Sequence, residues 1–356
     1  MKKRIKNLDP LRGLLAILVL VYHLPLVSRA VGLPYFNDLP IFHRGYEAVA
    51  VFFCLSGYLI IGLLYDEKKK EGAIDIKNFH LRRILRLYPV YYVVMFFGLF
   101  FYHFLLPLFH VPYQVDYDLY KGLLLCIGFL PNVFTKLYDP GSILSILWSI
   151  GIEEQFYLII APVLFILPLH RFAKYLLIFT ILYFIAFHTE VLSFLMGFGF
   201  FYFFMSMGGL LAVWQRKGYS VAFRPFILRL VVYLMFALHI TSDLFQFENV
   251  MVKNGFELIL FNLLIVNLGN DERITIRSKF ANYVGKVSYG IYMYHMIVIN
   301  FVLFVFLELQ KRMVLNTWMT VLIINAISIS LTIFMSHISY RYFESYFLNL
   351  KKRFRK

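Results

Sequence analysis

Residues 46–65, YEAVAVFFCLSGYLIIGLLY, form an apolar run that ends at the charged stretch DEKKKE, residues 66–71. An α-helix needs about 20 predominantly apolar residues to cross the hydrocarbon core of a membrane. Similar runs recur along the chain, each bounded by charged or turn-forming residues. They cover residues 12–28, 88–110, 143–168, 172–188, 193–214, 226–245, 252–268, 287–307 and 316–340. The sequence therefore predicts an all-α, polytopic membrane protein with about ten transmembrane helices.

The composition supports this class. Of the 356 residues, 61% are apolar or aromatic and only 15% are charged, and the mean hydropathy is +0.72. One soluble core cannot bury that much apolar surface, so an ordinary soluble enzyme is excluded. The 40 Phe and 26 Tyr exclude a disordered chain.

The distribution of basic residues predicts the topology. With the N-terminus placed inside, 28 of the 35 Lys and Arg fall in cytoplasmic segments, and a long connection at 111–142 lies outside. Such a bias is typical of membrane proteins, and it explains the net charge of +15 without a nucleic-acid partner. We expect both termini to be cytoplasmic and the first apolar run to be an uncleaved helix rather than a signal peptide.

Three ionisable residues fall deep inside predicted helices: His23, Glu153 and His295. Such residues are costly in a membrane and mark candidate functional sites. His23 lies eleven residues past Arg12, about 16 Å at helical rise. A histidine can act as a general base near neutral pH, and a carboxylate can orient it. The alternative for His23 is a hydrogen-bonded core histidine.

Other ionisable groups receive less specific predictions. Glu154 should face another side of its helix from Glu153, and at least one of the two should serve packing or a salt bridge. Four further residues near helix ends are expected to be interfacial: Glu257, His188, His239 and His337. The spacing of Cys54 and Cys126 matches no metal or redox motif, and no nucleotide-binding or zinc motif is present, so we expect no metal and no permanently bound cofactor.

The stretch RRILRLYP, residues 82–89, places three arginines at the predicted cytoplasmic mouth of the third helix. Arg83 and Arg86 share a helix face, and the guanidinium fork suits phosphate. The diphosphate of coenzyme A would fit this face. Contact with anionic lipids, or plain positive-inside bias, is the alternative.

Together, five blocks of sequence resemble the acyltransferase-3 family of integral-membrane acyltransferases. In order they are LDPLRG (8–13) followed by His23, VFFCLSGYLI (51–60), RRILRLYP (82–89), WSIGIEEQFY (148–157) and SYGIYMYH (288–295). They are spread over nearly the whole chain, and the ordered set is far more specific than any single block.

The resemblance implies transfer of an acyl group, usually acetyl from acetyl-CoA as co-substrate, to a hydroxyl of an envelope polysaccharide or a lipid-linked saccharide. It implies His23 as the catalytic centre, with Glu153 as its partner. It also implies Arg12, Arg83 and Arg86 as donor-binding residues. Further candidates within the matching blocks are Asp9, Ser56, Trp148 and His295.

The same resemblance sets the expected domain organisation. We expect one transmembrane acyltransferase domain at 1–345 and a short basic cytoplasmic tail at 346–356, in the inner (plasma) membrane and surrounded by lipid. Some relatives carry an additional SGNH hydrolase-like domain; none is recognised here, so a stand-alone form is expected. Glu344 lies where the family often has E-x-P, but the Pro is missing.

Two alternatives remain open from the sequence. Ten helices with polar groups near the midplane also describe a non-catalytic exporter of a saccharide or small acid. Transfer to an amine instead of a hydroxyl is equally compatible with these motifs.

Overall fold

A computed structural model describes residues 7–354 of the chain except 110, 112, 220, 221, 223, 224, 271, 272, 274, 275 and 313–315. Within these residues all regular secondary structure is helical. The predicted all-α class is confirmed. The final two residues of the predicted tail lie outside the described residues.

Thirteen principal helices build the described part of the chain. They are α1 (Leu8–Ala30), α2 (Gly45–Glu71), α3 (Ile76–Leu108), α4 (Leu119–Ile127), α5 (Pro131–Leu137), α6 (Ser142–Ile166), α7 (Leu169–Phe187), α8 (Tyr202–Arg216), α9 (Phe226–Thr241), α10 (Val250–Asn270), α11 (Lys279–Lys286), α12 (Ser288–Gln310) and α13 (Thr317–Ile338). Beyond α13 the chain continues through a π-helical turn, Ser339–Glu344, and the short helix Ser345–Leu350.

Among the described residues, eight helices are long and apolar enough to span a membrane: α1, α2, α3, α6, α7, α10, α12 and the helix that begins with α13. The predicted span at 193–214 is instead two helices, Glu190–Gly197 and α8, bent by 82°. The predicted span at 226–245 is α9, whose 16 residues reach only about 24 Å. The predicted polytopic class is confirmed, with eight candidate spans among the described residues, or nine if the bent pair counts as one span.

The break before α8 is built into the local structure. Gly199 has φ +68°, which a residue with a side chain rarely adopts. The freed carbonyls find side-chain donors: Asn132 Nδ2 donates to Phe198 O at 3.0 Å, and Tyr183 OH donates to Phe200 O at 3.0 Å. Irregular backbone at membrane depth is tolerated where its polar groups are satisfied in this way.

Glycines bring two pairs of helices into close contact. A Cβ atom at Gly57 on α2 would lie 1.8 Å from the carbonyl oxygen of Met205 on α8. A Cβ atom at Gly285 on α11 would lie 1.8 Å from the carbonyl oxygen of Asp9, and one at Gly13 would lie 2.8 Å from Gly285 N. Small residues at helix crossings are typical of membrane proteins. Gly13 and Gly57 of the sequence blocks therefore serve packing.

Polar side chains close the helix ends. Lys68 Nζ donates to three carbonyls at the end of α6, those of Leu164, Phe165 and Leu167, at 2.6–2.9 Å. Asp75 accepts from the Asn78 backbone N–H at 3.0 Å and caps the start of α3. These contacts satisfy backbone groups that a helix leaves unpaired at its ends.

Candidate active site

The two deep histidines lie next to each other. His23 on α1 and His295 on α12 approach with His23 Nδ1 and His295 Nε2 3.3 Å apart. His295 is fully buried, whereas His23 is partly exposed to a cavity. The helix depths in the sequence allowed this convergence, and the structure brings the pair together.

Backbone carbonyls decide which ring nitrogens carry protons. His23 Nδ1 lies 2.8 Å from Val19 O, and His295 Nδ1 lies 2.5 Å from Tyr292 O. A carbonyl only accepts, so both rings are protonated at Nδ1. His23 Nδ1 then shares its one proton between Val19 O, the nearer acceptor, and His295 Nε2. This network leaves His23 Nε2 with a free lone pair, the form that a general base or a nucleophile requires.

His23 lines a cavity of about 380 Å³. We call it the acceptor pocket after the role that is proposed for it below. The pocket lies beside the start of α2 and the turn before α8. Aromatic and polar side chains share its wall; the residues used below are Tyr22, Tyr46, Asn132, Lys136, Trp148 and Phe201. Its size falls within the range of about 300–1,000 Å³ typical of ligand sites.

Trp148, a candidate from the sequence, is part of this wall. Its ring centroid lies 6.1 Å from that of Tyr46 and 6.4 Å from that of Phe201. Tyr292 closes the inner side, where its hydroxyl bonds with Ser149 Oγ at 2.7 Å and with Ile146 O at 3.0 Å. The block 148–157 thus contributes Trp148 to the wall of the pocket. The same block also holds the carboxylates of Glu153 and Glu154.

Glu153 belongs to a different group of side chains. Its Oε2 accepts from Ser56 Oγ at 2.9 Å and from Tyr157 OH at 2.9 Å, and Ser56 and Tyr157 also bond to each other. The expectation that Glu153 orients His23 is therefore corrected: Val19 and His295 hold the ring. Glu153 and His23 have similar depths but lie on helix faces that point to different partners.

Arginines from two other blocks face Glu153. Both Arg12 on α1 and Arg83 on α3 interact with it electrostatically. We call Arg12, Ser56, Arg83, Glu153 and Tyr157 the polar cluster. It joins α1, α2, α3 and α6 through residues of four sequence blocks.

Arg83 is buried rather than placed at an open mouth, with 9% of its surface exposed. Its Nε has no hydrogen-bond partner among the described residues. Its charged neighbours include Arg86, Glu154 and Glu153. Glu154 accepts from Tyr88 OH at 3.2 Å while its Oε1 has no partner in the described chain, so Glu154 serves this arginine site and not packing alone.

Arg82 differs from its two neighbours. It forms an ion pair with Glu67 at 2.8 Å and donates to Phe354 O at 2.9 Å. These contacts tie α3 to α2 and to the end of the chain. Arg82 is therefore a structural residue, whereas its neighbour Arg83 belongs to the polar cluster.

Glu344 is a functional candidate that the sequence left in doubt. It is buried within the π-helical turn, accepts from Ser339 Oγ at 3.2 Å, and interacts electrostatically with Arg86. π-Helical turns are frequent at functional sites. Tyr157 was not predicted as a site residue, although it is the last residue of the family block WSIGIEEQFY.

His239 and Glu257, predicted near the membrane interface, also contact each other inside the bundle. Both are buried, and His239 Nε2 lies 3.1 Å from Glu257 Oε1. Lys253 Nζ lies 2.8 Å from Glu47 Oε1 and 3.7 Å from Glu257 Oε1, so an ammonium group supplies the positive charge between the carboxylates. Buried charges must be paired, and here α2, α9 and α10 pair them. His188 and His337 are half-buried, with partners Asn254 and Tyr283.

Asp9 lies in the first turn of α1, where its backbone carbonyl packs against Gly285. The candidates of the sequence therefore separate into three places. His23 and Trp148 line the acceptor pocket, with His295 buried behind His23. Arg12, Ser56, Arg83 and Glu153 belong to the polar cluster, and Asp9 lies at a helix crossing.

This fold and site define a polytopic membrane protein whose polar residues from separated blocks meet inside a helical bundle. A model of the acyltransferase domain matches residues 5–337. The chain belongs to the acyltransferase-3 family and is a membrane acyltransferase.

Relatives of known name share part of this sequence. The chain is 31% identical over 166 residues to the peptidoglycan O-acetyltransferase OatA of Listeria monocytogenes, covering 44% of this chain and 24% of that protein. It is 29% identical over 177 residues to the O-acetyltransferase OatA of Staphylococcus aureus, covering 47% of this chain and 25% of that protein. The alignments thus span about a quarter of the length of these two relatives.

A third relative is matched along most of its length. This is a putative acetyltransferase, ORF330, of Acidianus two-tailed virus, 26% identical over 318 residues that cover 82% of this chain and 84% of that protein. No solved structure matches this chain.

Proposed function

We propose that the protein transfers an acetyl group from acetyl-CoA to a hydroxyl of a cell-envelope polysaccharide or its lipid-linked precursor, in the inner membrane of the cell. The observation that carries the proposal is His23, whose proton is held on Nδ1 by Val19 O and whose Nε2 is left for a ligand of the acceptor pocket. The OatA relatives, which are named for O-acetyl transfer, support the choice of a hydroxyl acceptor.

His23 Nε2 has two ways to take part in the reaction. As a base it removes the hydroxyl proton while the hydroxyl oxygen bonds to the acetyl carbon and the carbon–sulfur bond breaks. The proton then passes to the departing thiolate. As a nucleophile it first takes the acetyl group from the thioester and then gives it to the hydroxyl. Both routes yield one ester and one free thiol, and both need an unprotonated Nε2.

The polar cluster would serve the donor. Arg83 and Arg86 offer positive charge to the donor's phosphates, and the carboxylates around them hold the guanidinium groups in place. Arg12 would add positive charge for the same phosphates. Since Arg12 and His23 are about 16 Å apart along α1, the donor reaches the histidine through its long pantetheine arm.

The test compares His23→Gln with wild type in cells that make the acceptor glycan, at matched protein levels in the membrane. Glutamine keeps a similar size and polarity but does not exchange a proton near neutral pH. His188→Gln is the control, because His188 Nδ1 makes the same bond to a carbonyl four residues earlier but lies outside the pocket.

Ester-linked acetate on the glycan should disappear with His23→Gln and persist with His188→Gln. Full acetylation with His23→Gln would remove His23 from the chemistry. It would favour the alternative of a non-catalytic exporter on the same fold.

A further inference from the structure

The acceptor pocket carries an unbalanced positive charge. Of the described residues that line it, Lys136 is the one with a fixed charge, and none is Asp or Glu. The other polar groups of the wall are neutral: Asn132, Thr135, Ser145 and the hydroxyls of Tyr22 and Tyr46. Lys136 lies in the last turn of α5, facing Gly197 in the turn before α8.

Lys136 forms no ion pair and donates no side-chain hydrogen bond within the described part of the chain. Asp139, the acidic residue one turn further on, is engaged elsewhere, since its Oδ1 accepts from the Gly141 backbone N–H at 3.2 Å. The stem of Lys136 passes over the small residue Gly197, where a Cβ atom would lie 4.0 Å from its Cε. A larger side chain at 197 would compete for the space of the lysine stem.

Three cations elsewhere at this end of the bundle have acidic partners, whereas Arg29 lies over the ring of Tyr35. Arg44 pairs with Asp243 at 2.7 Å, and Lys253 pairs with Glu47 at 2.8 Å. Lys121, one helix before Lys136 in the chain, pairs with Asp118 at 3.2 Å. Lys136 differs from all four of these cations because it lines the pocket.

A cation beside a pocket with aromatic walls is complementary to a ligand that combines an apolar ring face with a negative group. Lys136 is exposed, so water solvates its ammonium group beside a neutral saccharide, whereas a carboxylate or phosphate on the sugar would form an ion pair with it. We propose that the acceptor is an anionic saccharide, which binds with its carboxylate or phosphate at Lys136 and its reactive hydroxyl at His23. This inference rests on the proposed function and adds the chemical class of the acceptor.

Three soluble acceptors test the proposal with the purified protein in lipid nanodiscs and acetyl-CoA as donor: a methyl hexoside, the matching methyl hexuronide, and the matching hexoside phosphate. For wild type, KM should be lower for one or both charged acceptors than for the neutral one by about tenfold or more, the usual gain from a charge-assisted bond. The two charged arms distinguish a carboxylate from a phosphate.

Lys136→Gln should remove this preference and raise KM for the charged acceptor towards that for the neutral one. Lys136→Arg should keep it, because the charge remains. Lys121→Gln is the matched control, since Lys121 is exposed, already paired with Asp118, and outside the pocket wall; its preference should equal that of wild type.

Equal KM values of wild type for neutral and charged acceptors, or a preference that survives Lys136→Gln, would overturn the inference and leave the proposed function intact. Failure of wild type to acetylate any of the three acceptors would instead count against the proposed function, and the inference would fall with it.

Discussion

His23 and His188 share one local arrangement but differ in what their second ring nitrogen does. Both have Nδ1 close to the carbonyl four residues earlier, at 2.8 Å for His23 and 2.7 Å for His188. His188 Nε2 binds Asn254 at 2.9 Å. His23 Nε2 has no hydrogen bond to any described residue. The free nitrogen, rather than the histidine itself, makes His23 the reactive candidate.

His295 should act as a positioning residue. Its Nε2 accepts from His23 Nδ1 and helps to hold the ring, so His295→Gln should lower kcat by roughly twofold to tenfold, the worth of one neutral hydrogen bond. KM for both substrates should stay near the wild-type value, because His295 is fully buried and touches neither. A kinetic measurement that shows raised KM with unchanged kcat would contradict this role.

Arg83 and Arg86 should set the affinity for the donor. Lysine keeps the charge but loses the planar fork, so Arg86→Lys and Arg83→Lys should weaken acetyl-CoA binding by about tenfold to a hundredfold. Arg82→Lys is the control, because its partners are Glu67 and a backbone carbonyl. Titration calorimetry on the purified protein measures the affinity; if all three variants bind acetyl-CoA as wild type does, the two arginines only form part of a positive-inside cluster.

Among the elements, the crossing of α2 and α8 has no room for a side chain at its glycines. The backbones meet at Gly57 and Gly208, where a Cβ atom would lie 1.8 Å and 2.2 Å from a carbonyl oxygen of the other helix. Interhelical packing, not the hydrophobic effect, holds such crossings together in lipid. This crossing positions Ser56, one residue before Gly57, against Glu153.

Gly57→Ala should therefore destabilise the bundle, by about 1–3 kcal/mol or more, because the helices must separate to admit one methyl group. Gly255→Ala is the matched control, since its Cβ would meet Phe184 at an ordinary 3.6 Å. Thermal unfolding of the detergent-solubilised variants compares them. Equal midpoints for Gly57→Ala and wild type would show that this crossing can relax.

The sequence predicted where the helices lie far better than where they break. By hydropathy, residues 193–214 form one apolar segment, because phenylalanines flank Gly199 on both sides. The bend depends on Gly199 and on donors from Asn132 and Tyr183, which lie on other helices. Only the packed structure brings those donors to the freed carbonyls.

The whole molecule has two polar regions at different depths. The polar cluster lies with Arg12 in the second turn of α1, and the acceptor pocket lies beside His23 three turns further on. Their separation, about 16 Å along the helix, suits a donor and an acceptor that arrive from opposite faces of the membrane.

That arrangement requires the predicted topology, which cysteine labelling can test. Lys121→Cys should react with a membrane-impermeant maleimide added outside intact cells, and Lys69→Cys should react only after permeabilisation. Both positions are exposed, and the native Cys54 and Cys126 are buried. Labelling of Lys69→Cys alone in intact cells would reverse the topology.

The parts of the site were visible in the sequence, but their grouping was not. Helical rise placed His23, Glu153 and His295 at similar depth, and the family blocks named all three. Which of them touch depends on the rotation of each helix about its axis, and in a chain this apolar the hydrophobic pattern does not fix that rotation. His23 and His295 are 272 positions apart in the chain, and only the packed bundle shows that they touch. It also shows that Glu153 has other partners.

Acyl transfer at His23 can be measured with the purified protein. Purified wild type and His23→Gln in nanodiscs are mixed with acetyl-CoA and acceptor, and free thiol release is followed alongside acetyl-CoA binding. We expect His23→Gln to release thiol more slowly than wild type by a factor of about 10²–10⁴. Its affinity for acetyl-CoA should be retained, because the polar cluster is unchanged. A variant that releases thiol and acetylates the acceptor at the wild-type rate would contradict the account.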